Sequence, residues 1–411
     1  MTDQTMPEPF PAATVARGMR RLPIAARLAL KAMSQLAIGA LRINLPDGRS
    51  FRFAGSQPGG EGVIDVRDWR MFSRALRGGS LGFAEAYLDG LWESPDVAQV
   101  LYVASLNAEA MGGVSRGTWL VNAVARLQHL LRPNTKKGSE RNIHAHYDLG
   151  NDFYRLWLDP SMTYSAAFYE KPSLTLAQAQ RAKYANLARM TGVSADHKVI
   201  EVGCGWGGFA EFAAREIGCH VTGITISREQ LAYGQKRIFD AGLNEKVSLE
   251  YCDYRDLKGA YDRAISIEMF EAVGEKYWPG YFAKLHEILK PGGAAGLQVI
   301  TIDEKWFEGY RRRADFIQRY VFPGGMLPSP TVLAARARDA GFATGKRMTF
   351  GLDYARTLAE WHKAFEHAWP ELSQGRFDAR FKRLWTYYLA YCEAGFRSKS
   401  IDVEQTVFHR G

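Results

Sequence analysis

Residues 198–207 read KVIEVGCGWG. A short β-branched run that breaks at once into three glycines at spacing two reads as a buried strand entering a tight turn. Glycine in such a turn lets the backbone approach a ligand closely, and a helix follows. Downstream, HVTGITI (220–226), VSLEYC (247–252), YDRAISI (261–267) and AAGLQVITI (294–302) read as further strands. Helical stretches separate them, one of them running from Ser227 towards Ala241. Strands alternating with helices mean a doubly wound, mostly parallel sheet. ATGKRMTFG (343–351) and SIDVEQTVFHR (400–410) add two strands, the last expected to be antiparallel. The fold class is α/β.

The turn spans Glu201 to Gly207, with glycines at Gly203, Gly205 and Gly207. It lacks the G-x-x-G of the dinucleotide fingerprint. The pattern E-x-G-x-G-x-G resembles instead that of Rossmann-like class I methyltransferases, which use S-adenosylmethionine. The resemblance implies that the glycines admit the amino-acid part of that cofactor. The second strand ends in TISREQ rather than in an acid, so Thr225 and Gln230 are expected at the ribose hydroxyls. Asp253, after the third strand, is expected to meet the adenine amino group, with Tyr254 stacked or packed near the base.

The 411 residues are 46% hydrophobic and 24% charged, enough for two domains and ample core. No apolar run approaches the roughly 20 residues of a membrane-spanning helix, and the polar, Pro-containing start shows no signal-peptide core. A cytoplasmic protein is expected. The cysteines, Cys204, Cys219, Cys252 and Cys392, have no metal spacing and read as reduced thiols. A net charge of +9 implies anionic company, either nucleic acid or an anionic membrane surface.

Four segments are expected along the chain. Residues 1–15 form a disordered tail. Residues 16–130 form a smaller α+β domain, opening on a basic amphipathic helix over 16–40 that bends or restarts at Pro23. Within that domain Asp47-Gly48 marks a hairpin, and two helices follow, the first closed by Gly78-Gly79. Residues 131–142, LRPNTKKGSERN, are a linker, and 143–411 form the methyltransferase domain. An insertion rich in Trp, Phe, Tyr and Arg covers 303–340.

Upstream of the sheet stands HYDLGNDFYRLWLDPSMTYSAAFYE, residues 146–170. With it the chain resembles the cyclopropane-fatty-acid synthases and their mycolic-acid methyltransferase relatives. The resemblance rests on HYDLGND, LDPSMTYS, EVGCGWGG, TISREQ, DYRDL, SIEMFEAVG, YVFPGGMLPS and the Phe-Gly-x-Asp-Tyr ending at Tyr354, in order from about residue 80 onward. It implies a one-carbon unit added to the double bond of unsaturated phospholipid acyl chains. Tyr164 and Ser165 are then expected to line the cofactor site. A cation forms on the chain, and a base removes a proton from the new methyl group so that a ring closes. The synthases hold bicarbonate as that base. Its expected ligands here are Glu271, Tyr354, the backbone at Ile300, and the positions Gln298 and Ala166, where the synthases have histidine and cysteine.

Gln298 is the odd residue of an otherwise apolar strand. A carboxamide donates to an anion but is neither acid nor base, whereas imidazole carries a proton near neutral pH. Two fates of the cation stay open: a cyclopropane, or a methyl-branched alkene formed by loss of a neighbouring chain proton. Glu268 points into the cofactor pocket or is structural. Phe270, Tyr310, Tyr320 and Tyr354 suit an acyl tunnel, and Arg311-Arg312-Arg313 a basic rim on an anionic membrane, with peripheral association at its inner face. The chain has no RNA-binding module and no Asn-Pro-Pro-aromatic motif, so no nucleic-acid substrate is expected. A lipid-binding relative without turnover is the remaining alternative, and homodimer formation is left open.

Overall fold

The computed structural model describes residues 21–111 and 149–411. The expected tail (1–15), the linker (131–142) and the first three residues of HYDLGND lie outside the described residues. The chain divides into two compact units. One takes residues 21–111 together with Ser373–Ser398, the other 149–372 together with Lys399–Gly411.

The first unit opens on a helix, Ile24–Met33, directly after Pro23, whose φ of −51° suits helix entry. It buries Ala26, Ala29 and Leu30 but leaves Ile24 and Leu28 exposed at 68% and 55%. The helix expected as far as residue 40 stops short. Ile38–Asn44 is strand β1 instead. Gly39 sits at φ +72°, and a Cβ there would lie 2.9 Å from the Gly60 carbonyl oxygen, so this position is set by strand packing. β1 pairs antiparallel with β2 (Ser50–Ala54) through the Asp47-Gly48 turn, and parallel with β3 (Gln57–Val66). β4 (Trp92–Glu93) completes the order β2-β1-β3-β4. β3 was not anticipated, because its glycines hide the strand pattern. Gly62 is one of them: a Cβ there would come within 2.9 Å of Val100 Cα, on the helix Val97–Leu106 that crosses the sheet. The two expected helices form Arg70–Leu88, kinked at Gly79 (φ +58°, ψ −140°).

The helix Ala379–Arg397 belongs to this unit, so the domain boundary of 143–411 needs correction. Arg397 donates to Gln99 Oε1 at 2.7 Å, Arg383 to Glu93 Oε1 at 2.5 Å, and Tyr387 packs on Tyr87. Such contacts are long-range and leave no local trace in the sequence.

The second unit is the doubly wound sheet. Its strands are β5 (Lys198–Val202), β6 (His220–Thr225), β7 (Val247–Tyr251), β8 (Tyr261–Ile267), β9 (Leu289–Ile302), β10 (Phe342–Thr349) and β11 (Ile401–Arg410), in the order β10-β11-β9-β8-β5-β6-β7. β5 to β9 run parallel, and β11 lies antiparallel between β9 and β10, as expected. The chain winds outward from β5 to β7, then crosses back to β8. The carboxyl ends of β5 and β8 are therefore the switch point where such sheets bind ligands. The insertion after β9 folds as short helices, Glu304–Tyr310, Phe316–Tyr320 and Pro330–Asp339. The helix Gly351–Leu372 buries Tyr354, Leu358, Trp361, Phe365 and Leu372 along one face. Among the described residues no helix is long and apolar enough to cross a membrane, and no cluster suits a metal ion.

Candidate active site

β5 delivers Glu201, buried at 3% exposure, to the start of the glycine turn. Its Oε2 has no hydrogen-bond partner, and burial pushes its carboxyl well above the usual range. Gly203, Gly205 and Gly207 all have positive φ, at +84°, +52° and +81°. A Cβ on Gly203 would strike Met269, whereas one on Gly205 would project into open space. The turn thus leaves a cradle lined by backbone at Gly205. Gly207 then starts the helix Gly208–Phe212.

Thr225, Ser227 and Gln230 are knit together where β6 ends. The Ser227 N–H donates to Thr225 Oγ1 at 3.1 Å, and Thr225 Oγ1 to Gln230 Oε1 at 3.2 Å. At the end of β7, Asp253 accepts from Arg255 Nε at 2.7 Å and Nη2 at 2.6 Å. Tyr254 packs edge-on against Tyr281, 5.4 Å between centroids. Tyr164 sits in an aromatic box with Tyr154, Trp157 and Trp361, at 5.3–5.6 Å. Ser165 Oγ accepts from Lys183 Nζ at 2.6 Å.

A polar centre lies at the end of β8. Glu268, the first residue past the strand, has φ +49°, a conformation that costs a non-glycine residue about 1–3 kcal/mol. Its N–H still donates to the Gln298 carbonyl at 2.8 Å. Its Oε1 accepts from the Ala166 N–H and from Gln298 Nε2, both at 2.8 Å. Its Oε2 accepts from the Tyr354 hydroxyl at 2.6 Å. Gln298 is fully buried and fully used, since its Oε1 accepts from Gln405 Nε2 at 2.9 Å. Gln405 stands directly opposite Gln298 in the β11–β9 register, and its own Oε1 accepts from Asn186 at 2.6 Å. The glutamine is therefore one link in a chain of amides leading to a carboxylate.

Glu271 follows in the turn Phe270–Ala272. Its Oε1 accepts from the Ile300 N–H at 2.6 Å, and its buried Oε2 has no partner. Burial, then repulsion from Glu268, pushes its carboxyl up to about 8. Burial also raises Glu268, opposed by the Tyr354 hydroxyl, the Lys183 ammonium, the Ala166 N–H and the Gln298 amide. Lys183, wholly buried, is lowered to about 7 by desolvation.

Three of the five residues expected around an exogenous anion thus converge on Glu268, and the other two, Glu271 and Ile300, bond each other. Phe270 is a core residue, not a tunnel wall: it is 1% exposed and stacks on Trp278 at 5.4 Å. The basic rim is partly neutralised, because Arg311 pairs with Glu275 and Glu308, and Arg312 with Glu308.

Residues 134–406 match the family model of mycolic acid cyclopropane synthetase. The chain belongs to this family. Curated members of the synthetase family include the tuberculostearic acid methyltransferase of Mycobacterium tuberculosis, 37% identical over 351 residues, covering 81% of this chain and 79% of the relative. The cyclopropane-fatty-acyl-phospholipid synthase of Escherichia coli K12 is 36% identical over 380 residues, covering 90% and 96%. Among solved members, the cyclopropane synthase MmaA2 of Mycobacterium tuberculosis aligns with a TM-score of 0.62 at 30% identity, covering 66% of this chain and 98% of that one. A mycolic acid cyclopropane synthase solved with SAH and CTAB aligns with a TM-score of 0.63 at 29% identity, again covering 66% and 98%.

As a synthetase-family member the chain is an S-adenosylmethionine-dependent methyltransferase of lipid chains, on the class I fold. The glycine turn fits that cofactor: the cradle at Gly205 accepts a group that any side chain would displace, and Glu201 Oε2 is an unused acceptor beside it. Sequence reasoning missed Lys183, Asn186 and Gln405. Lys183 and Gln180 lie on the buried face of the helix Leu176–Thr191, between Ala179 and Leu187. Polar residues at helical spacing within an apolar stripe were the signal.

Proposed function

We propose that the protein adds a one-carbon unit from S-adenosylmethionine to the double bond of an unsaturated acyl chain held by a membrane phospholipid. The observation that carries this reading is a part-buried acidic centre at the switch point beside the glycine turn, the Glu268 carboxylate in its three donors with the Glu271 carboxyl three residues on. Such a centre stabilises a cation developing on an apolar chain, because a low-dielectric site strengthens charge interactions. The glycine turn with Glu201 holds the cofactor's amino-acid part, Thr225 and Gln230 its ribose, and Asp253 and Tyr254 its base. Tyr164, only partly buried, offers a π face to the chain and its cation. When bound, S-adenosylmethionine supplies an electrophilic methyl group.

Substrate lies in a bilayer, so the enzyme works as a peripheral protein at the inner membrane face. Exposed Ile24 and Leu28, interleaved with exposed Arg27 and Lys31, support contact with an anionic leaflet.

Methyl-labelled S-adenosylmethionine and vesicles of monounsaturated phospholipid test the reading, with labelled chains identified by mass spectrometry. Labelled acyl chains are expected; unlabelled lipid refutes it. Gln298 favours a second outcome for the product, a methyl-branched alkene, because position 298 carries a carboxamide in place of an imidazole. On that reading Gln298→His raises the cyclopropane share, and an unchanged product ratio rejects the link.

A further inference from the structure

The groups that would bind an exogenous carbonate-like anion are already committed to a carboxylate of the chain. Ala166 N–H and Gln298 Nε2 both donate to Glu268 Oε1, and Tyr354 donates to Oε2. A backbone N–H and a carboxamide NH2 only donate, so Oε1 is an acceptor with two fixed donors and carries no proton. The arrangement is that of an anion in a three-donor cradle. Glu268 reaches it by adopting φ +49°, where glycine would be unstrained. Strain of this kind persists only where the surroundings over-determine the residue, and it gathers at functional sites. Gln405 and Asn186 hold the Gln298 amide with its NH2 towards the carboxylate. The whole buried network is thereby oriented on one acceptor.

We propose that Glu268 is a built-in substitute for the bicarbonate ion, so that this enzyme carries its own anionic base and needs no exogenous one. The proposal rests on the cation chemistry of the proposed function. In the deprotonation step, a C–H bond breaks, either on a chain carbon next to the cationic carbon or on the newly added methyl group. Its electron pair forms the new C=C bond or closes the ring, respectively, and the proton passes to the Glu268 carboxylate, which becomes a carboxylic acid. That proton leaves to solvent after product release. Atoms and charge balance with no further reactant.

Two measurements test this. The first is ¹³C-labelled bicarbonate titrated by NMR into the full-length protein, without lipid or S-adenosylmethionine. The wild type is expected not to bind it, and Glu268→Gly, which empties a carboxylate-sized space and relieves the strained backbone, is expected to bind it. Because no substrate is present, this readout stands apart from the lipid assignment. The second is turnover on vesicles in carbonate-free buffer. Wild-type rate is expected to change less than about twofold on adding bicarbonate, while Glu268→Gly falls about 100-fold or more and regains at least about tenfold with bicarbonate or formate. Glu268→Gln fills the same space and is expected to show no rescue. The proposal is overturned if wild-type protein binds labelled bicarbonate, or loses turnover without it. It is equally overturned if a folded Glu268→Gly neither binds nor responds to either anion. If that variant fails to fold, the two wild-type measurements still decide.

Discussion

Glu271 and Glu268 lie three residues apart and burial raises both carboxyls, yet their hydrogen-bond surroundings differ. Glu268 has three donors and Lys183 near it; Glu271 has one backbone N–H and an empty second oxygen. Folded Glu271 keeps its proton up to about 8, while an unfolded glutamate releases it near 4.5. Its raised value therefore stabilises the fold fully at low pH, and that contribution fades as pH rises towards 8. Glu271→Gln lacks this dependence. Its stability relative to wild type is expected to climb between pH 5 and 8, by at most about 1.4 kcal/mol per unit, and then level off. Urea unfolding across that range measures it, and a flat difference refutes a raised Glu271. The same variant is expected to lose at least about tenfold in turnover. At this scale the sequence was half legible. Gln298 stood out because an amide in an apolar strand demands partners. Those partners depend on register, and nothing local places Gln405 opposite it.

Among elements, the β5 turn carries the sharpest expectation. Gly205 and the hairpin Gly48 both have positive φ, and a Cβ on either meets no protein atom. Alanine at either site costs about 1–2 kcal/mol of backbone strain. Only at Gly205 does the new methyl enter the proposed cofactor cradle. Gly205→Ala is expected to weaken S-adenosylmethionine binding at least about tenfold by calorimetry, while Gly48→Ala, equally destabilised, binds normally. Equal affinities would remove the cradle from the cofactor site. The strands β5 to β9 were readable because each is a compact buried run between turn signals. β3 was not, since glycines at 59, 60 and 62 make room for close neighbours, backbone or the Gln99 side chain, instead of supplying side chains of their own. The helix Gly351–Leu372 was also passed over. Its apolar residues recur at three and four, but Pro370 inside it reads as a stop.

For the molecule as a whole, the proposed membrane contact is the part of the reading that uses the positive charge. Raising salt is expected to weaken binding to anionic vesicles, with no change on neutral ones, as sedimentation would measure. Salt-independent binding would assign the affinity to Ile24 and Leu28 alone. The division into two units escaped sequence reading at one place, Ser373–Ser398, where the chain leaves the sheet and later returns. Local patterns report the helix but not which core it serves.

That return has a consequence for how the protein is made. Ile302 and Ile401 are neighbours in the sheet, yet everything from residue 303 to 400 is synthesised between them. Until β11 emerges from the ribosome, the Ala294–Ile302 edge of β9 lacks its pairing strand and is apolar apart from Gln298 and Thr301. For that interval the nascent chain is a template for faulty pairing with its neighbours, and β11 is the built-in plug that ends the hazard. The same arrival brings Gln405 to Gln298, so the chain of amides leading to Glu268 is completed at the moment the edge is sealed.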